Sequence, residues 1–126
     1  MKHLFLIGLG GGLGAICRHQ LSSFILVMMG NQFFPWSTFS INVIGSSICG
    51  LILSYLSYKN QLFLDYKFFT ITGFLGGFTT FSTFSLDLFM LIKTKNISMA
   101  FVYGCSSVFI SLLGFFLGYS FFHLDK

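Results

Sequence analysis

The chain has 126 residues, 55% of them hydrophobic and only 8% charged, with a mean hydropathy of +0.86. That composition excludes a soluble globular domain and marks a membrane protein. The net charge of +4 comes from scattered residues with no basic cluster, which argues against a nucleic-acid partner.

Four apolar stretches, 4–29, 36–58, 68–92 and 97–122, are each long enough to cross a bilayer, since about 20 helical residues span the hydrocarbon. The expected fold is an all-α membrane protein of one domain, with four transmembrane helices and both termini on one side. The first stretch runs past the length of a signal core and carries Arg18, so no cleavable signal is expected. Lys2, Lys59, Lys67 and Lys126 fall on the terminal side and Lys93 and Lys95 on the other. This weak bias allows either orientation or both.

Span one holds Gly8, Gly10, Gly11, Gly12, Gly14 and Ala15, whose small-xxx-small spacing predicts close packing against another helix. Arg18 follows 14 residues after Leu4, about 21 Å along the axis at 1.5 Å per residue. It reads as the partner of Asp87, at comparable depth in span three, and as the lining of an anion-attracting vestibule, two compatible roles. A short turn is expected at Asn31–Pro35, with Trp36 at the interface. Span two brings Thr38 and Asn42, whose amide is either a bond between helices or a donor to a pore. Lys59–Lys67 reads as the most polar loop, and Lys93–Asn96 as a tight connection.

Span three carries Gly-Phe-Leu-Gly-Gly-Phe-Thr-Thr-Phe-Ser-Thr-Phe-Ser from Gly73 to Ser85. Adjacent glycines followed by two threonines predict a helix broken at mid-membrane depth, tolerated only where freed backbone groups face protein, a cavity or an ion. Carbonyls of Gly76, Gly77 or Thr79 there suit a hard cation, or the break is a packing kink. Phe81 and Phe84 read as core or lipid-facing, or as rings whose positive edges touch an anion weakly enough to release it. In span four, Tyr103, Ser107 and Ser111 form one stripe at i, i+4, i+8, serving as packing glue or as a row of donors to an ion. Cys17, Cys49 and Cys105 lie singly in apolar spans and read as small core residues.

Three segments together, Gly11-Gly12-Leu-Gly-Ala-Ile-Cys-Arg18, Thr38-Phe-Ser-Ile-Asn42-Val-Ile-Gly45 and Gly73-Phe-Leu-Gly-Gly-Phe-Thr-Thr-Phe-Ser-Thr-Phe84, give a chain that resembles the Fluc/CrcB family of fluoride channels over nearly its whole length. The resemblance implies a subunit that pairs antiparallel with a second copy, or with a paralogous chain, to form two pores at the interface. It implies a structural sodium ion at the dimer centre on the backbone carbonyls of Gly76 and Thr79. It further implies that Phe81, Phe84, Asn42, Tyr103, Ser107, Ser111 and Thr38 line the fluoride path, with Arg18 in the vestibule. The expected activity is passive export of fluoride across the bacterial cytoplasmic (inner) membrane, which relieves fluoride toxicity and needs no enzyme chemistry. A proton-coupled multidrug exporter needs a titratable intramembrane carboxylate, and here only Asp87 is available. A non-conducting scaffold leaves the broken helix without a purpose. A hydrolase is disfavoured by the scattered His3, His19 and His123.

Overall fold

The structure is a computed structural model and describes residues 1–30, 34–58 and 64–122. The centre of the turn expected at Asn31–Pro35, the first part of the Lys59–Lys67 loop, and His123 with the tail to Lys126 lie outside the described residues. Every regular element among the described residues is a helix, and none is a strand. In chain order the elements are α1 (Lys2–Met29), α2 (Trp36–Tyr58), α3 (Leu64–Lys67), a π-helical segment (Phe68–Leu75), α4 (Gly76–Phe78), α5 (Phe81–Lys93) and α6 (Ile97–Ser120). Four runs are long and apolar enough to cross a membrane: Lys2–Met29, Trp36–Ser57, Asp65–Lys93 and Ile97–Ser120.

The helical path to span three starts earlier than hydropathy alone suggests, because α3 places its polar residues ahead of Phe68. Here the Lys2 ammonium bonds the Asp65 carboxylate, and the His3 ring lies 4.5 Å from that of Phe68. Span four closes at Ser120, where the Phe121 amide donates to the Gly118 carbonyl at 3.3 Å, a tightened i→i+3 turn that ends the α ladder.

Two seams hold the bundle. α1 packs along the π segment and α4, and α2 packs along α6. In the first, backbones nearly touch: a Cβ on Gly14 would sit 2.9 Å from the Phe78 nitrogen, and one on Gly77 would sit 3.0 Å from the Gly11 Cα. Gly10 and Gly14 are buried, whereas a Cβ on Gly8 or Gly12 would meet nothing within 4 Å. Of the glycine pairs in span one, Gly10/Gly14 therefore faces the seam and Gly8/Gly12 turns away from it. In the second seam a Cβ on Gly50 would lie 3.0 Å from the Tyr119 nitrogen, and one on Gly118 at the same distance from the Leu51 nitrogen.

α5 leans on α6 through a cluster of Phe84, Leu91, Ala100 and Tyr103. It ends in a Schellman turn: the Asn96 amide donates to the Leu91 carbonyl at 2.9 Å and the Lys95 amide to that of Ile92 at 2.9 Å. Lys95 itself is left-handed at φ 61°.

Candidate functional site: a groove at the start of α5

The helical ladder stops at Phe78. The Thr79 amide still donates to the Leu75 carbonyl at 2.9 Å, but Thr79 (φ −76°, ψ 155°) and Thr80 (φ −148°, ψ 120°) are extended. Two polar devices hold this stretch. The Asn42 side chain clasps the Thr80 backbone from both sides: the Thr80 amide donates to Asn42 Oδ1 at 2.8 Å, and Asn42 Nδ2 donates to the Thr80 carbonyl at 3.0 Å. Thr80 in turn caps α5, its Oγ1 accepting from the Thr83 amide at 3.2 Å. Gly45 leaves room on α2, since a Cβ there would lie 3.0 Å from Phe78 Cδ1 and collide with the Thr79 methyl.

These commitments free carbonyls. In an unbroken α-helix the Thr80 amide would serve Gly76, and the Thr83 amide would serve Thr79. The first is given to Asn42 and the second to Thr80 Oγ1. The carbonyls of Gly76 and Thr79 thus lose their helical donors, and oxygens released in this way are the donor type that holds Na⁺ in discontinuous helices. The residues fit a sodium ion.

A groove of about 350 Å³ runs from this point along α6, lined by Asn42, Thr79, Phe81, Phe84, Ser107 and Ser111 among others. Five residues read as a pore from the sequence therefore share one cavity. Phe84 is 7% exposed and Phe81 76% exposed, with ring centroids 5.4 Å apart, so one ring belongs to the core and the other projects from the chain's surface. Ser107 Oγ and Ser111 Oγ are buried and have no hydrogen-bond partner among the described residues. Leaving a buried hydroxyl unpaired costs about 1–3 kcal/mol, so these two groups are poised for a ligand.

Tyr103 shares their stripe but not the groove. Its side chain is buried, with 0% of the residue exposed, and its hydroxyl donates to Asp87 Oδ2 at 3.1 Å. Its ring backs Phe84 at 5.3 Å and meets the edge of Phe34 at 5.4 Å. Asp87 thus takes Tyr103 as its partner rather than Arg18: comparable depth does not bring two side chains together when their helices face different ways. Thr38 and Arg18 lie apart from the groove, around a polar cavity of about 200 Å³ that also touches Thr80.

Two polar groove residues escaped the sequence reading, Thr80 and Ser46. Thr80 carried a signal, a threonine just ahead of an apolar helical run with a second hydroxyl residue three positions on, the pattern of an N-cap. Ser46 lines the groove one turn beyond Asn42, so the i, i+4 spacing on α2 pointed to it.

Residues 5–119 match the family model described as "CrcB-like protein, Camphor Resistance (CrcB)". The chain belongs to this CrcB-like family. It is 42% identical over 113 residues to "Fluoride-specific ion channel FluC 2" of Nitrobacter hamburgensis, covering 90% of each chain. It is 40% identical over 118 residues to the "Fluoride-specific ion channel FluC" of Flavobacterium psychrophilum, covering 94% of each. The protein of the same name from Thermus thermophilus is 38% identical over 119 residues, covering 94% of this chain and 92% of the relative. These relatives are named as channels and not as enzymes. The CrcB-like match spans the π segment, the Thr79–Thr80 stretch and the whole groove.

Proposed function

We propose that this chain forms a passive fluoride channel that lets the anion leave the cytoplasm of a bacterium across its inner membrane. The observation that carries this reading is the groove, where the two unpartnered hydroxyls of Ser107 and Ser111 face the same space as the Asn42 amide and the Phe81 and Phe84 rings. Fluoride is small and strongly hydrated, so its path must replace water with donors and ring edges that bind without trapping. The names of the relatives supply the ion.

The driving force is electrical. Hydrogen fluoride enters neutral, ionises in the near-neutral cytoplasm, and the anion is expelled by the inside-negative potential, which contributes about 2.3 kcal/mol per charge per 100 mV. Asn42 keeps one Nδ2 hydrogen beyond its bond to Thr80 and offers it to the anion. Ser107 and Ser111 donate in turn along α6. Tyr103, held by Asp87, buttresses Phe84 from behind. Arg18, with no carboxylate within 4.0 Å among the described residues, raises the local anion concentration beside Thr38.

Two subunits pair antiparallel in the membrane, as identical copies or as paralogues, and the projecting Phe81 ring suits a path completed by the partner. The break in span three then sits at mid-membrane depth on the dimer axis. The carbonyls of Gly76 and Thr79 from both subunits would hold one structural sodium there, which supplies fixed positive charge at the centre and is not transported.

The test is fluoride efflux from liposomes containing only this purified chain, driven by valinomycin and a potassium gradient and read with a fluoride electrode. Rapid efflux of fluoride but not chloride is expected from identical copies. Silence from folded chain alone, relieved by co-expression of an oppositely oriented paralogue, would mark a two-chain channel. Silence in both cases would refute the reading.

A further inference from the structure

Two more cavities lie on the α1–α2 side of the protomer, away from the groove. The outer one, about 330 Å³, opens where α1 ends and α2 begins, beside Gly30, Pro35 and Trp36, and reaches Asp87. The inner one, about 200 Å³, contains Arg18 and reaches Thr80. Four residues line both: Ser22, Ser37, Thr38 and Thr83. All four carry hydroxyls, and they come from three different helices. The wall between the cavities is therefore a collar of hydroxyl groups, with a carboxylate on one side and a guanidinium on the other. Across it the Oγ atoms of Ser22 and Ser37 meet at 2.6 Å, joining α1 to α2. Ser37 is 8% exposed, so this is no surface contact. Thr80 lines the inner cavity and the groove alike, which places the three spaces in series.

We infer that the Ser22–Ser37 hydroxyl pair is a gate between an aqueous entrance and the Arg18 cavity that feeds the fluoride path. The inference rests on the proposed fluoride conduction for its cargo, but not for its geometry. Each cavity is far larger than the roughly 30 Å³ a liquid water occupies; the inner one is walled mainly by polar groups, and the outer one, though largely apolar, carries Asp87 and the four hydroxyls, so both have room and partners for water. At the collar the two serines satisfy each other. An anion arriving at the collar turns both hydroxyl hydrogens towards itself, breaking their mutual bond. The pair then donates twice to the ion as it passes between the two cavities. When the ion leaves, the bond re-forms. An apolar pair at this position would close by dewetting, whereas hydroxyls offer a closed state that an anion itself can open.

The test uses a cysteine-free parent (Cys17, Cys49 and Cys105 replaced by alanine) carrying Ser22→Cys and Ser37→Cys. Hydroxyl oxygens that meet at 2.6 Å bring the ends of the two side chains within reach of each other, as a disulfide needs. Oxidation of the reconstituted protein should lower fluoride efflux at least about tenfold by locking the constriction, and a reductant should restore it. Each single cysteine variant should be indifferent to oxidant. A disulfide that forms fully without changing the flux would overturn the inference, as would folded protein that never cross-links.

A second readout is independent of the cargo. The single Ser22→Cys variant should react with a small charged thiol reagent added in water, because its thiol borders two water-filled cavities. An unreactive thiol in folded Ser22→Cys protein would overturn the inference. A reactive one, in a parent that passes no fluoride, would sustain the water-filled cavities on either side of the pair and refute the fluoride reading instead.

Discussion

Removing the Asn42 amide should be the most costly single polar deletion in the protein. Asn42→Ala deletes both bonds to Thr80, of 2.8 and 3.0 Å, and strands a backbone amide and a carbonyl in a stretch without a helical ladder. In water-soluble proteins each stranded group costs about 1–3 kcal/mol, which would sum to several. Within a bilayer the unfolded chain also finds partners, and a bond between helices averages about 0.6 kcal/mol, reaching about 1.7. The membrane figure governs here, and two bonds to one peptide give an expected loss of about 1–3 kcal/mol. Asn42→Asp keeps the acceptor for the Thr80 amide but sets an oxygen against the Thr80 carbonyl, so it should cost at least as much at neutral pH. Unfolding of the purified chain in a denaturing detergent titration reads the loss, and fluoride efflux reads the function. Ser46→Ala, one turn away on the same groove, is the control. If Asn42→Ala unfolds at the parent's midpoint, the clasp does not hold the extended stretch and the account of the freed carbonyls fails with it.

Other substitutions probe separate parts of the structure. Ser107→Ala and Ser111→Ala should leave stability unchanged or raise it by up to about 1 kcal/mol, because each removes an unpaired buried hydroxyl. Both should slow fluoride efflux, and a loss of stability without a loss of flux would show the hydroxyls to be packing glue. Gly50→Leu should cost about 1–3 kcal/mol or more by overpacking, since even its Cβ meets backbone at 3.0 Å. Gly12→Leu, facing open space, is the contrast, and equal effects in detergent unfolding would refute the seam. Lys95→Gly should stabilise the α5–α6 turn by about 1 kcal/mol by relieving a left-handed lysine, measured as a higher unfolding midpoint, whereas Lys95→Val should do the reverse.

The four spans are legible in the sequence because length and hydropathy act along the chain and need no knowledge of neighbours. What the sequence leaves open is azimuth. Gly8/Gly12 and Gly10/Gly14 have the same spacing, and only the packing decides that the second pair faces the π segment. Arg18 and Asp87 have matching depth, yet Asp87 faces α6 and takes Tyr103. Tyr103 continues the Ser107–Ser111 stripe but sits behind Phe84, because a stripe of just over two turns on one helix outlasts a single cavity. The gathering of Asn42, Phe81, Phe84, Ser107 and Ser111 around one groove was reachable only through the family resemblance, since 19 phenylalanines give no reason to choose two. The π segment left no mark in the residue order that helix propensity could read.

The α1 seam has a thermal consequence. Its contact points are Gly10, Gly14 and Gly77 set against backbone atoms, so docking there freezes almost no rotamers. A seam of leucine or methionine gives up about 0.5–2 kcal/mol of side-chain freedom per residue, a loss that grows with temperature. The glycine seam lacks that burden, and its attraction is dispersion between close backbones, which changes little on warming. On heating, α1 should remain on the π segment while helices joined by larger side chains loosen first. That would make the half of the bundle carrying the Gly76 and Thr79 carbonyls the last to come apart.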